Sequence, residues 1–396
     1  MARLSEKRIA DNEAVKNRNL ASKPPQVKYK NQDNEYNNAY RKWRSESRIF
    51  LGHPDPDNPN EMIYKDGVGI IAENRTAAER RTLVYVHSVI MWAMVFYLVI
   101  ELCLSSVLPP VIGKLGAHIG TDAVTGLMYG NDVTVIIIMY LCETVKQLIP
   151  FLMVKKALNM PINIVLPMKI YDREAFGIAI PAALMCFPLL SAFSGLFNRL
   201  LSTVGILPYN NIVPHMNTMT GSVASVIISV IYVPIVSELL MRGMILHSLR
   251  QFGDAYAILI SALVSTLCVH NLTQMCYVFI SAIVIGHFAL RTGSMITAVI
   301  MRMIFKLAAT SAWYAERYLP AEDNILFIGI VFTVFLTVGL IGILRFIGKS
   351  RKGIGLTAIE TELTLKEKLP EAFFCPPSLL FMATSAALMI ISLNVV

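Results

Sequence analysis

Apolar residues gather into long runs from Leu83 onward, and polar residues are confined to the intervals between them. Nine runs stand out, near 83–108, 133–154, 175–204, 221–248, 254–270, 274–290, 294–315, 324–347 and 376–396. Each is long enough, or nearly so, for a helix of roughly 20 residues to cross a bilayer. The last run, PPSLLFMATSAALMIISLNVV, has few charges to hold its far end and reads as a crossing or as partly re-entrant. Residues 1–82 are polar, with 16 Lys and Arg against 12 Asp and Glu and almost no periodic apolar pattern. Up to about Arg48 this tail reads as disordered. The next part, from Ile49 to Arg75, has turn dipeptides and two short apolar clusters suited to packing on the membrane domain. The pattern predicts an all-α polytopic membrane protein of about 8–9 transmembrane helices, with a largely disordered tail over 1–82 and a membrane domain over 83–396.

Charge assigns sides to this layout. Arg80 and Arg81, Lys155 and Lys156 with Lys169 and Arg173, Arg250, Arg291, and the Arg345–Lys352 cluster with Lys366 and Lys368 fall on alternate connections. The connections around 109–132, 205–220, 271–273 and 316–323 are poor in Lys and Arg. Basic loops stay on the cytoplasmic side, which predicts a cytoplasmic N-terminus and a last residue outside, in the cell membrane. The first residues lack the short apolar core of a secretory leader, so the first run is expected to act as the insertion signal.

Composition agrees, with 55% hydrophobic residues, 16% charged and 20 Met. The net charge of +8 needs no nucleic-acid partner, because Lys and Arg accumulate in the cytoplasmic loops of membrane proteins. Membrane lipids are the expected surroundings. Six cysteines scattered through apolar runs show neither disulfide pairing nor zinc-ligand spacing, so no cofactor is expected from them.

The stretch Pro234–Lys306 carries ionisable residues inside apolar helices: Glu238, Arg242, His270, Arg302 and Lys306. Such groups at membrane depth are costly and mark functional positions by default. At 1.5 Å per residue, Glu238 lies roughly 18 Å before the turn near Arg250 and His270 roughly 24 Å after it. Arg302 and Lys306 lie roughly 12 and 18 Å in from Ser294. Three helices thus bring their polar groups to a similar depth. Glu238 and Arg242, four apart, share a helix face and can pair.

The string from Ser237 to Lys306 resembles the membrane core of the CPBP proteins, the type II CAAX-prenyl endopeptidases and the bacterial relatives also called Abi or bacteriocin-processing proteins. The family pattern is E-E-x-x-x-R on one helix, F-x-x-x-H on the next and H-x-x-x-N or H-x-x-x-D on a later one, usually after an R/K-T-G-S turn. Here Glu238 and Arg242 match the second Glu and the Arg, His270 the second-motif His, and Arg291–Ser294 the turn. The likeness covers about 175–315 and implies an intramembrane protease core. In that mechanism a carboxylate deprotonates a water while His and Asn stabilise the oxyanion, with or without a metal.

This sequence departs from the pattern at the catalytic positions. The first Glu is Ser237, the Phe is Thr266, and Arg302 and Lys306 replace the last His and Asn or Asp. A serine hydroxyl is no general base at neutral pH unless another group takes its proton. The expectation is a pseudoprotease in which Glu238 pairs with Arg242, Arg302 or Lys306, since buried charges must compensate one another, and which binds a transmembrane or prenylated protein or peptide. One alternative is an active endopeptidase using Glu238 and His270, or a Ser237–Lys306 pair. Another is a small-solute transporter built on Glu101, Glu143, Lys146 and Gln147, although Glu143 and Lys146 share a helix face and make an internal salt bridge equally well.

Overall fold

A computed structural model describes residues 29–46, 63–65, 68–70, 75–114, 116, 119–121, 128–207, 216–349, 355–356, 361–391 and 394–395. These residues are overwhelmingly helical, and their only pairings of extended chain are three short two-stranded ones.

Helix α1, Asn34–Glu46, lies in the tail read as disordered, so that expectation is corrected for residues 29–46. The stretch from Ile49 to Arg75 falls outside the described residues, apart from the antiparallel pairing of Ile63–Lys65 with Val68–Ile70 and the helix start at Arg75. The bundle comprises α2, Arg75–Ser106; α3, Asp132–Leu158; α4, Arg173–Thr203; α5, Met219–Phe252; α6, Asp254–Leu267; α7, Met275–Thr292; α8, Met295–Tyr318; α9, Ala321–Lys349; α10, Leu365–Phe373; and α11, Pro376–Ile391.

Seven helices are long and apolar enough to cross a membrane, or eight if α10 and α11, bent by 71°, count as one span. The protein is therefore a multi-pass membrane protein. The fifth run is the exception to its expected length. Asp254–Leu267 is only 14 residues, and most of it is buried inside the protein, as suits a short core helix. His270 follows it in left-handed backbone, with φ 50°, and the chain turns back through Leu272–Gln274 into α7.

Helix α5 is not a regular α-helix. Its turns widen to π-helix over Ile228–Tyr232 and Leu239–Leu246, on both sides of Glu238. Pro234 has no N–H to donate, and its ring crowds the carbonyl of the preceding turn. The Val233 N–H bonds five residues back to Ile228 O. Such widened turns recur at functional sites.

Contacts gather the basic connections at one end of the bundle. Arg291 pairs with Asp172 at 2.7 Å, Lys169 with Asp33 at 3.2 Å, and Lys368 with Glu79 at 3.2 Å. Lys368 also donates to Phe252 O at 2.7 Å. At the other end Asp132, which begins α3, accepts from the Asn217 and Thr218 backbone N–H groups at 2.9 and 2.8 Å. Helix α9 packs along α4, and Gly339 lets the two backbones approach, since a Cβ there would lie 2.7 Å from Met185 Cβ. The outer face of α9 exposes Ile325, Leu326, Ile330 and Ile341, as a lipid-facing helix does.

Candidate functional site

The centre of the site is an ion-paired carboxylate. Glu238 is 1% exposed and Arg242 fully buried. Arg242 Nη1 donates to Glu238 Oε1 at 3.1 Å and to Ser265 Oγ at 3.4 Å, and Nη2 donates to Ala282 O at 2.9 Å. One guanidinium thereby ties α5 to α6 and α7. From α8, Arg302 Nε approaches the same Glu238 oxygen at 3.7 Å. A single carboxylate oxygen stands between two permanent cations.

His270 belongs to a second group. Its Nε2 lies 3.1 Å from Glu101 Oε2 on α2. The other Glu101 oxygen is 3.4 Å from Lys146 Nζ, which also pairs with Glu143 at 2.6 Å. The Glu143–Lys146 contact is the internal bridge that the helix spacing allows, and it favours a structural over a transport role. Lys306, one turn beyond Arg302 on α8, sits within electrostatic range of Arg302, Glu143 and Lys146.

The single layer expected of Glu238, His270, Arg302 and Lys306 is thus two adjoining clusters. The contacts of Glu238 are to Arg242 and Arg302, whereas His270 bonds Glu101. Ser237 Oγ donates to Pro234 O at 3.2 Å in its own helix, so the Ser237–Lys306 pair is not formed. Thr266, at the Phe position, is buried and donates to Ala262 O at 2.8 Å. Sequence reasoning noted Glu101 as an intramembrane carboxylate but did not join it to His270, because spacing along one helix says nothing about which distant helix it faces.

The R-T-G-S turn positions α8. Gly293, at φ 66°, closes α7 in left-handed backbone, and Ser294 caps α8 by accepting from Ile296 N at 3.3 Å. Thr292 Oγ1 donates to Thr297 Oγ1 at 2.8 Å. The turn therefore fixes where Arg302 and Lys306 begin their approach to the core.

A comparison with protein-family profiles matches residues 219–308 to the type II CAAX prenyl endopeptidase Rce1-like family. Over these residues the chain is similar to that family. The matched residues run from the start of α5 into α8 and include Glu238, Arg242, His270, Arg302 and Lys306, while Glu101, Glu143 and Lys146 lie outside them. Neither the curated proteins nor the solved structures give a match.

The site does not suit a divalent metal at Glu238, whose ion-pair partners are two guanidinium groups that would repel it. Among the described residues no group of three His, Cys, Asp or Glu side chains is placed to hold one. The chemistry these residues offer is charge pairing, with a carboxylate and an imidazole in hydrogen-bond contact beside it.

Proposed function

We propose that this chain is a pseudoprotease of the Rce1-like family, one that binds a transmembrane or prenylated protein or peptide through the inherited core without cleaving it. Its expected setting is the cell membrane, with the N-terminal residues in the cytoplasm. The observation that carries this reading is the bracketing of Glu238 Oε1 by Arg242 at 3.1 Å and Arg302 at 3.7 Å. A general base must present its lone pair to a water within hydrogen-bond reach, and guanidinium groups occupy that oxygen. The loss of the neighbouring carboxylate to Ser237 and of the oxyanion partners to Arg302 and Lys306 supports the same conclusion.

The deciding experiment uses the full chain in proteoliposomes with a fluorescent farnesylated CAAX peptide. The expected result is saturable binding without release of the terminal tripeptide. Cleavage that disappears in Glu238→Ala overturns the pseudoprotease, and absence of both binding and cleavage overturns the prenylated partner. A second reading, an active endopeptidase, has one observation in its favour: Glu238 Oε2 accepts no hydrogen bond among the described residues, which leaves its lone pairs uncommitted. The same assay separates the two.

A further inference from the structure

At the basic end of the bundle a cavity of about 500 Å³ opens between α1 and the connection leading from α3 to α4. Ligand cavities are typically about 300–1,000 Å³. Lys42 and Trp43 line it from α1, and Lys155, Asn159 and Asn163 from the other side. Among the described residues that line it are these two lysines and no Asp or Glu, so the lining offers two cations. Its walls are built rather than incidental. Trp43 is buried and its indole donates to Leu158 O at 2.8 Å, while Asn159 turns the chain at φ 49° with its backbone N–H bonded to Lys155 O and Lys156 O.

Depth identifies the occupant. Helix α3 is a membrane span that ends at Leu158, so the cavity sits where the bundle leaves the hydrocarbon and headgroups begin. Tryptophan and lysine are the side chains that favour this zone. Ile162, in the lining, is 57% exposed, an apolar margin for acyl chains. Basic pockets between helices at this level recognise phosphate-bearing headgroups. We propose that the cavity binds the headgroup of an anionic membrane phospholipid, with Lys42 and Lys155 contacting the phosphate and Asn159 and Asn163 donating to its oxygens. The bound lipid would clamp α1 to the end of α3.

The test measures binding of phosphatidic acid to the full chain in phosphatidylcholine nanodiscs, with soluble glycerol phosphate as competitor. Wild type is expected to prefer phosphatidic acid over phosphatidylcholine, and soluble glycerol phosphate to compete only weakly. The Lys42→Gln/Lys155→Gln pair should weaken phosphatidic acid binding roughly 10- to 30-fold at low ionic strength. Asn163→Lys, which adds a cation to the lining, should tighten it and keeps the test decisive if the double variant folds poorly. Unchanged affinity in both variants, or equal binding of the two lipids, overturns the site. Competition by glycerol phosphate as strong as that of the lipid overturns the membrane source and assigns a soluble phosphate instead.

Discussion

Arg242 shows what a buried charge demands. It is enclosed by three helices and directs its donors to a carboxylate, a hydroxyl and a carbonyl. Removing one partner of a buried pair leaves the other unpaired, at a cost of about 3–5 kcal/mol, whereas replacing both with apolar residues of similar volume is often nearly neutral. Arg242→Leu is therefore expected to lower stability by that amount in detergent, and Arg242→Leu/Glu238→Leu to recover much of the loss. Arg302 still faces the site in the double variant, so recovery will be partial. Equal loss in the single and double variants, measured by thermal unfolding, contradicts a mutual ion pair. The Glu101–His270 contact gives a second residue-scale outcome. Glu101→Leu should disturb the turn that His270 holds at φ 50°, seen as faster hydrogen exchange over 268–274, while Glu143→Leu leaves that turn intact. Positions within one segment were legible in the sequence because a helix fixes its own spacing. Pairings such as Glu101 with His270, 169 residues apart, depend on how helices are arranged and were not.

At the scale of elements, the strap formed by residues 29–46 is the least expected feature. Its buried aromatics Tyr36, Tyr40 and Trp43 recur at helical spacing, a signal present in the sequence but masked by the polar residues around it. Tyr29 stacks on the Arg250 guanidinium at 3.5 Å, Arg250 pairs with Asp254 at 3.1 Å and donates to Asn31 at 3.0 Å, and Tyr40 donates to His247 O at 3.0 Å. Burial pushes the Tyr40 hydroxyl up to about 12, so it stays a neutral donor across the physiological range. The strap's dependence on the R-T-G-S turn is testable. A Cβ at Gly293 would sit 2.5 Å from Asn31 O, and the left-handed backbone costs a side chain about 1–2 kcal/mol. Gly293→Ala should detach the strap, raising proteolysis and hydrogen exchange over 29–46. Trp43→Ala should do the same by leaving a void, while Lys366→Ala, away from the strap, should not. The short α6 was misjudged for a different reason: its apolar run continues past Leu267 through Cys268 and Val269, and hydropathy does not register where the backbone stops being helical.

For the whole molecule, contacts at the two ends show which elements share an end of the bundle. The strap joins the end that carries Arg250 and Lys169. Helix α11 starts beside α2, where His87 Nε2 and Ser378 Oγ are 2.9 Å apart. Asn394 pairs with Leu207, just beyond the far end of α4, and α4 begins at the basic end, where Asp172 meets Arg291. A chain that begins α11 at one end and pairs at the other has passed through the bundle. The alternation of basic connections gives the expectation that the end carrying Arg250 and Lys169 faces the cytoplasm, since Lys and Arg tend to remain there. Lys42→Cys and Asn394→Cys, each placed in a background lacking the six native cysteines, should therefore react with a membrane-impermeant thiol reagent from opposite sides of sealed vesicles. Labelling of both from one side would mean that α11 enters and returns, and would leave the bent α10–α11 pair as a re-entrant loop rather than an eighth span.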